Sequence, residues 1–186
     1  STIKMATTSL RTLTTALCMG GALGLLLPGG VRAARRLLSS SAAPAGYDAG
    51  NIFAKIIAGD IPSFKVMETE HCIAILDAFP VCPGHTLLIP KKASVTCADM
   101  EGDSLTGTMA ELPKLVRAVQ KATGAPAARV ISNVGPEAGQ IVFHTHFHII
   151  PRHTKDASWA NSKDMVTKEE AVPVMEAIKK ALAEGC

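Results

Sequence analysis

Ile141-Val142-Phe143-His144-Thr145-His146-Phe147-His148-Ile149-Ile150-Pro151-Arg152 is apolar at almost every position that is not histidine. Its β-branched and aromatic residues predict a strand. Alternate side chains of a strand share a face. His144, His146 and His148 therefore point one way with Val142 and Ile150. Phe143, Thr145, Phe147 and Ile149 point the other way, into a core. Half of the chain's six histidines fall in this one row. Three readings fit it: a half-exposed strand whose polar face is histidine, a metal site, or a catalytic imidazole flanked by two helpers. Spacing limits the second. His144 and His148 lie roughly 13 Å apart at about 3.3 Å per residue, so one ion does not readily take all three.

His144-Thr145-His146-Phe147-His148-Ile149-Ile150 resembles the histidine-triad pattern His-φ-His-φ-His-φ-φ, with Thr145 as the one polar φ. Asn51 to Pro62, Ile75 to Lys92 and Val130 to Arg152 resemble other blocks of the histidine triad (HIT) superfamily, in order. The likeness covers roughly residues 50–152. It implies an α+β fold: an antiparallel sheet of about five strands with one long and one short helix, and a homodimer that continues the sheet. It implies hydrolysis of a purine nucleotide at the α-phosphate, with His146 as nucleophile in a covalent histidyl-nucleotide intermediate. His144 and His148 would meet the phosphate charge, and a backbone carbonyl of the triad would hold the His146 ring. His85 would support the triad from a neighbouring strand.

Outward from the triad, Ile52, Phe53, Ile56 and Ile57 recur at helical spacing and stop at Gly59-Asp60. By the resemblance, Ile52, Phe53 and Ile56 also wall a nucleobase pocket. Phe64–Thr69 and Cys72–Ala78 read as two strands closed by Asp77, which the resemblance assigns to the ribose hydroxyls. A carboxylate suits two neighbouring donors because it accepts twice. His85 to Pro90 reads as a further strand. Leu105, Met109, Leu112, Val116 and Val119 predict a long helix over 101–123 with Gly124 as its C-cap. Pro113 conflicts with that helix and should kink or restart it. A strand over 128–132 reaches Asn133. The loop from Val134 to Gln140 follows, its glycines opening backbone N–H groups to an anion. Asn133, Gly139 and Gln140 are the expected phosphate side of the site. Asn133 resembles the nucleoside-phosphoramidase branch, and Gly135 to Gln140 the diadenosine-polyphosphate-hydrolysing branch. Thr167-Lys168-Glu169-Glu170 resembles a capping box before a helix over 172–182, with Pro173 tolerated near its start.

The chain of 186 residues is 47% apolar, which supports one globular core. Its net charge of +3 comes from the N-terminal segment, where Lys4, Arg11, Arg32, Arg35 and Arg36 face no acid before Asp48. Without those five, 14 basic residues face 16 acidic ones, a net of −2. No basic patch remains to suggest nucleic acid. Residues 1–46 resemble a mitochondrial targeting leader, with the secretory pathway or a plastid as alternatives. Their apolar run is too short and too broken by glycine to span a membrane. By the resemblance, residues 47–186 are expected to form a HIT domain with a C-terminal helical extension. Five cysteines, Cys18, Cys72, Cys82, Cys97 and Cys186, have no Cys-x-x-Cys spacing and argue against a disulfide framework. Trp159 is the only tryptophan; it could cover the nucleotide site, a dimer seam or bare surface. Some family members hold a structural zinc through two cysteines three positions apart and a histidine after a Pro-Lys-Lys segment. Asn51, Ala54 and Ala93 stand at those places, so no metal or other cofactor is expected. The activity expected first is phosphoramidase-like, releasing a nucleoside monophosphate. The alternatives are a dinucleoside polyphosphate hydrolase and, from another class, a nucleotide-binding or scaffolding protein.

Overall fold

The structure, a computed structural model, describes residues 46–154 and 164–185. The expectations for the leader, for Cys18 and Cys186 and for Trp159 lie outside the described residues. Among the described residues, no helix is long and apolar enough to cross a membrane. In chain order the elements are α1 (Ile52–Ala58), β1 (Lys65–Glu68), β2 (Cys72–Leu76), β3 (Thr86–Pro90), α2 (Gly102–Thr123), β4 (Ala127–Ile131), β5 (Phe147–Arg152) and α3 (Lys168–Ala183). The strands form one antiparallel sheet in the order β1-β2-β3-β5-β4. This is the expected α+β architecture.

The two-residue period of the strands sorts the core into two layers. Cys72, Ala74 and Leu76 of β2, Leu88 of β3, and Phe147 and Ile149 of β5 pack with Leu115, Ala118 and Val119 of α2 and Ile178 of α3. Ile73 and Ile75 of β2, with Leu87 and Ile89 of β3, face the other way and pack on Phe53 and Ile56 of α1. One face is therefore roofed by two helices. The other carries only the short α1, and this half-open face can admit a ligand.

The helix ends follow their local chemistry. The Asn51 side chain accepts from Ala54 N–H at 3.0 Å and caps α1. Gly59 and Gly124 end α1 and α2 in left-handed conformation, at φ 89° and 67°. Thr167 and Glu170 form the expected capping box, and α3 begins there rather than at Val172. Pro173 is consequently its sixth residue, deeper than the first turn. Pro113 does not split the long helix. It removes one donor, to the Met109 carbonyl, but α2 runs unbroken for 22 residues. Leu115, Ala118 and Val119 just beyond the proline are fully buried and hold the second half down. Gly107 is needed in the same helix because a Cβ there would strike the His71 ring.

The histidine-rich stretch departs most from expectation. The ladder begins only at Phe147, opposite Leu88, so residues 141–146 are not strand. β3 ends at Pro90, which has no N–H to offer. The Thr145 N–H turns instead to Ser94 O at 2.8 Å. Phe143 stays 40% exposed rather than entering the core, whereas Thr145, Phe147 and Ile149 are buried as expected.

Replacing the α1 cap, Asn51→Ala, should cost about 1 kcal/mol. A urea titration should report a lower midpoint with an unchanged slope.

Candidate functional site

Residues 144–146 hang between side-chain and backbone anchors rather than in the sheet. His144 is 1% exposed. Its Nε2–H donates to Pro90 O at 2.9 Å, and its Nδ1 accepts from the Tyr47 hydroxyl at 2.5 Å. Thr145 is held by Ser94: the Ser94 hydroxyl donates to Thr145 Oγ1 at 2.7 Å, and Thr145 Oγ1–H donates to Ser94 O at 3.2 Å. The His144 carbonyl then accepts from His146 Nδ1–H at 2.7 Å. A carbonyl only accepts, so His146 carries its proton on Nδ1, and the Nε2 lone pair is free.

The same reasoning fixes the other two rings. Val81 N–H donates to His85 Nδ1 at 3.2 Å, which puts the His85 proton on Nε2. That proton faces His148 Nδ1 at 3.0 Å. His148 therefore accepts on Nδ1 and holds its own proton on Nε2. Phe53 meets the His146 ring edge-on at 5.0 Å, and His146 meets His148 at 4.9 Å. Two carbonyls, one amide N–H and one phenol thus assign a single tautomer to four histidines.

Burial keeps all four neutral. It pushes His85 down to about 3, helped by charge on His148 and His146. It pushes His148 down to about 4, helped by charge on His146. His146 and His144 are lowered by the same burial, offset in part by the carbonyls they donate to. Asp77, just past β2, moves the other way. Burial raises its carboxyl, and the Phe79 N–H on Oδ1 at 2.8 Å offsets part of the rise. Asp77 Oδ2 stands 3.6 Å from His85 Nδ1 and 4.0 Å from His148 Nδ1. Asp77, His85 and His148 could in principle gather a metal, since their ligand atoms lie within 4.8 Å of one another. The histidine atoms among them are already engaged. His85 Nδ1 holds the Val81 N–H, and its Nε2 proton occupies His148 Nδ1. The two histidines form a hydrogen-bonded pair, and Asp77 stands beside it without bonding to either ring.

A cavity of about 740 Å³ opens on the α1 face. Ile52, Phe53 and Ile56 form its apolar wall, and Asp77, His85, His146 and His148 its polar side. Asn133 and Gly139 also border it. No lysine or arginine lines it among the described residues. Two expected contacts are placed differently. Gln140 is buried with its amide spent inside the loop. Its Nε2 donates to Val95 O and Val142 O, and its Oε1 accepts from Gly135 N–H. Within the loop the Gly139 N–H donates to Pro136 O and the Gln140 N–H to Gly135 O. His144, with both ring nitrogens bonded to protein, does not line the cavity, and its carbonyl accepts from His146 Nδ1–H.

Tyr47, Val81, Pro90 and Ser94 complete this constellation and carry no sequence signal for it. Val81 and Pro90 contribute backbone atoms, and Ser94 a carbonyl and a common hydroxyl. Tyr47 is conspicuous only as the single tyrosine.

Residues 58–155 match the HIT domain family, and the chain belongs to it. It is 39% identical over 110 residues to adenylylsulfatase HINT3 of Arabidopsis thaliana, covering 59% of this chain and 56% of that one. This chain thus spans little more than half the length of that relative. It is 42% identical over 110 residues to adenosine 5'-monophosphoramidase HNT1 of Saccharomyces cerevisiae, covering 59% of this chain and 67% of that one. The crystal structure of a Hit-like protein involved in cell-cycle regulation from Bartonella henselae superposes with a TM-score of 0.66 at 36% identity. It covers 73% of this chain and 98% of that one.

The lowered histidines give stability a pH dependence. Between about 6.5 and about 4 the unfolded chain takes protons that folded His85 and His148 refuse. Stability is therefore full above 6.5 and drains away as pH falls. The slope is about 1.4 kcal/mol per pH unit for each histidine. Asp77, raised, works in the opposite sense near the bottom of that window. Urea midpoints measured from pH 8 to pH 4 should fall steadily below 6.5.

Proposed function

We propose that the protein hydrolyses purine nucleoside phosphoramidates to the nucleoside monophosphate, through a covalent intermediate on His146. The observation that carries this reading is the 2.7 Å bond from His146 Nδ1–H to the His144 carbonyl, which leaves Nε2 unprotonated beside the cavity. A neutral imidazole so held is a nucleophile at neutral pH without a separate base. The base would lie on Ile52, Phe53 and Ile56. The ribose hydroxyls would donate to Asp77, and Asn133 and Gly139 would border the phosphate.

In the first step His146 Nε2 bonds to phosphorus as the P–N bond to the amine breaks. The electron pair leaves on the amine nitrogen, which takes a proton from His148. The negative charge of a bound phosphate opposes the effect of burial and lets His148 carry that proton. In the second step water attacks phosphorus, its proton returns to His148, and the histidine–phosphorus bond breaks.

The cavity walls favour this leaving group. An amine departs without needing a fixed positive charge. ADP, ATP or sulfate departs as an anion, and such departures are commonly helped by lysine, arginine or a metal. Among the described residues, none of the cavity's side chains is a lysine or arginine. A dinucleoside polyphosphate hydrolase is the alternative, supported by the likeness of the 135–140 loop. We also propose a homodimer built on β4. This edge strand pairs only with β5 among the described residues, and Val130, Val134, Ile141 and Phe143 lie exposed on it and the nearby loops.

The test compares the protein with its His146→Asn variant on adenosine phosphoramidate and on a diadenosine polyphosphate. AMP from the phosphoramidate, absent in the variant while nucleotide binding persists, is the expected result. His146-dependent ADP or ATP mainly from the dinucleotide would shift the assignment to the alternative. No His146-dependent product from either would leave a binding protein.

A further inference from the structure

We infer that Tyr47 is a positioning residue: its hydroxyl locks His144 in one tautomer and thereby aims His146. The inference rests on the proposed hydrolysis for its kinetic consequence, but its structural content can be read without turnover.

The His144 carbonyl must itself be held in place to aim His146. Residues 144–146 precede the β5 ladder, so no strand pairing fixes them. The ring of His144 does part of that work, stretched between Tyr47 and Pro90. Pro90 O can accept only if the His144 proton sits on Nε2. The other nitrogen is then a buried lone pair that needs a donor, and the Tyr47 hydroxyl is that donor. The two rings pack 5.5 Å apart at 59°, and Phe53 closes the third side at 6.2 Å. Water has little access to a ring that is 1% exposed.

Removing the hydroxyl leaves two poor choices. His144 keeps its tautomer with an unsatisfied buried acceptor, or it moves its proton and abandons Pro90. It can also accept a second proton, because the bond that opposed protonation at Nδ1 is gone. A charged His144 next to His146 would depress the basicity of the nucleophile. Ser94 and Thr145 still hold the neighbouring residue. The loss should therefore appear as misaiming rather than unfolding.

The experiment uses the full chain in three forms: unaltered, Tyr47→Phe, and with 3-fluorotyrosine replacing the single tyrosine. Phenylalanine keeps the ring contacts and removes the donor; the fluorinated phenol is a stronger donor. For adenosine phosphoramidate, Tyr47→Phe should lower kcat about tenfold, as the loss of one hydrogen bond would, with KM within about twofold. The acid limb of the kcat profile should move to higher pH in Tyr47→Phe and to lower pH with fluorotyrosine. Independently of turnover, 15N spectra of the histidine rings should show His144 as Nε2–H and His146 as Nδ1–H in the unaltered protein. Both should lose that single tautomer in Tyr47→Phe. Unchanged ring spectra in Tyr47→Phe overturn the inference even if no substrate is turned over. So does an acid limb that stays in place in both altered forms of an active enzyme. Absence of His146-dependent turnover with the expected ring spectra would sink the proposed reaction and leave Tyr47's role standing.

Discussion

The arrangement depends on one hydrogen bond, from His146 Nδ1–H to the carbonyl of the residue two before it. An imidazole has two nitrogens, and only the one without a proton can attack. A free histidine divides its proton between the two. Here a backbone oxygen makes the choice permanently, and a backbone oxygen cannot titrate. That bond is only as well aimed as the short segment presenting it. The anchors around it therefore converge on residues 144 and 145, from Tyr47, Pro90 and Ser94. His85 and His148 repeat the device, with the Val81 amide as the fixed reference.

The sheet makes room for this by being covered unequally. Two helices fill one face with a continuous apolar layer. The other carries a seven-residue helix, so the ends of β2 and β3 and the triad segment are left to line a cavity. The ladder stops where the chemistry starts. Pro90 ends β3 without an N–H, and the freed backbone of Thr145 bonds to the following loop. Continued pairing would have kept the triad backbone in regular strand geometry. The interruption lets the His144 carbonyl turn back toward the ring of His146.

The elements were mostly legible in the sequence because they are local. The apolar spacing of α1 and α2, the glycine after each, the Thr167–Glu170 capping box and the alternation in β5 each need only a few neighbouring residues. Asp77 and His85 were legible through family resemblance rather than pattern. The illegible parts are relations between distant segments. A strand reading of residues 141–146 is reasonable on composition, and only the position of Ser94 beside Thr145 ends it. Gln140 reads as a ligand contact until Val95 and Gly135 are brought next to its amide. Tyr47 lies 97 residues from the histidine it touches.

The make-up of the cavity walls reaches beyond the chemistry. A nucleotide is an anion, and most surfaces that collect anions do so with clustered positive charge acting over about 8–10 Å of screened solution. The described walls of this cavity offer instead aliphatic and aromatic surface, one carboxylate and uncharged rings. Capture on such walls draws on removing the base from water rather than on long-range attraction. Its thermodynamic mark is a negative heat-capacity change. Ionic strength then has little leverage over it, so nucleotide capture would vary little between dilute and salt-rich surroundings.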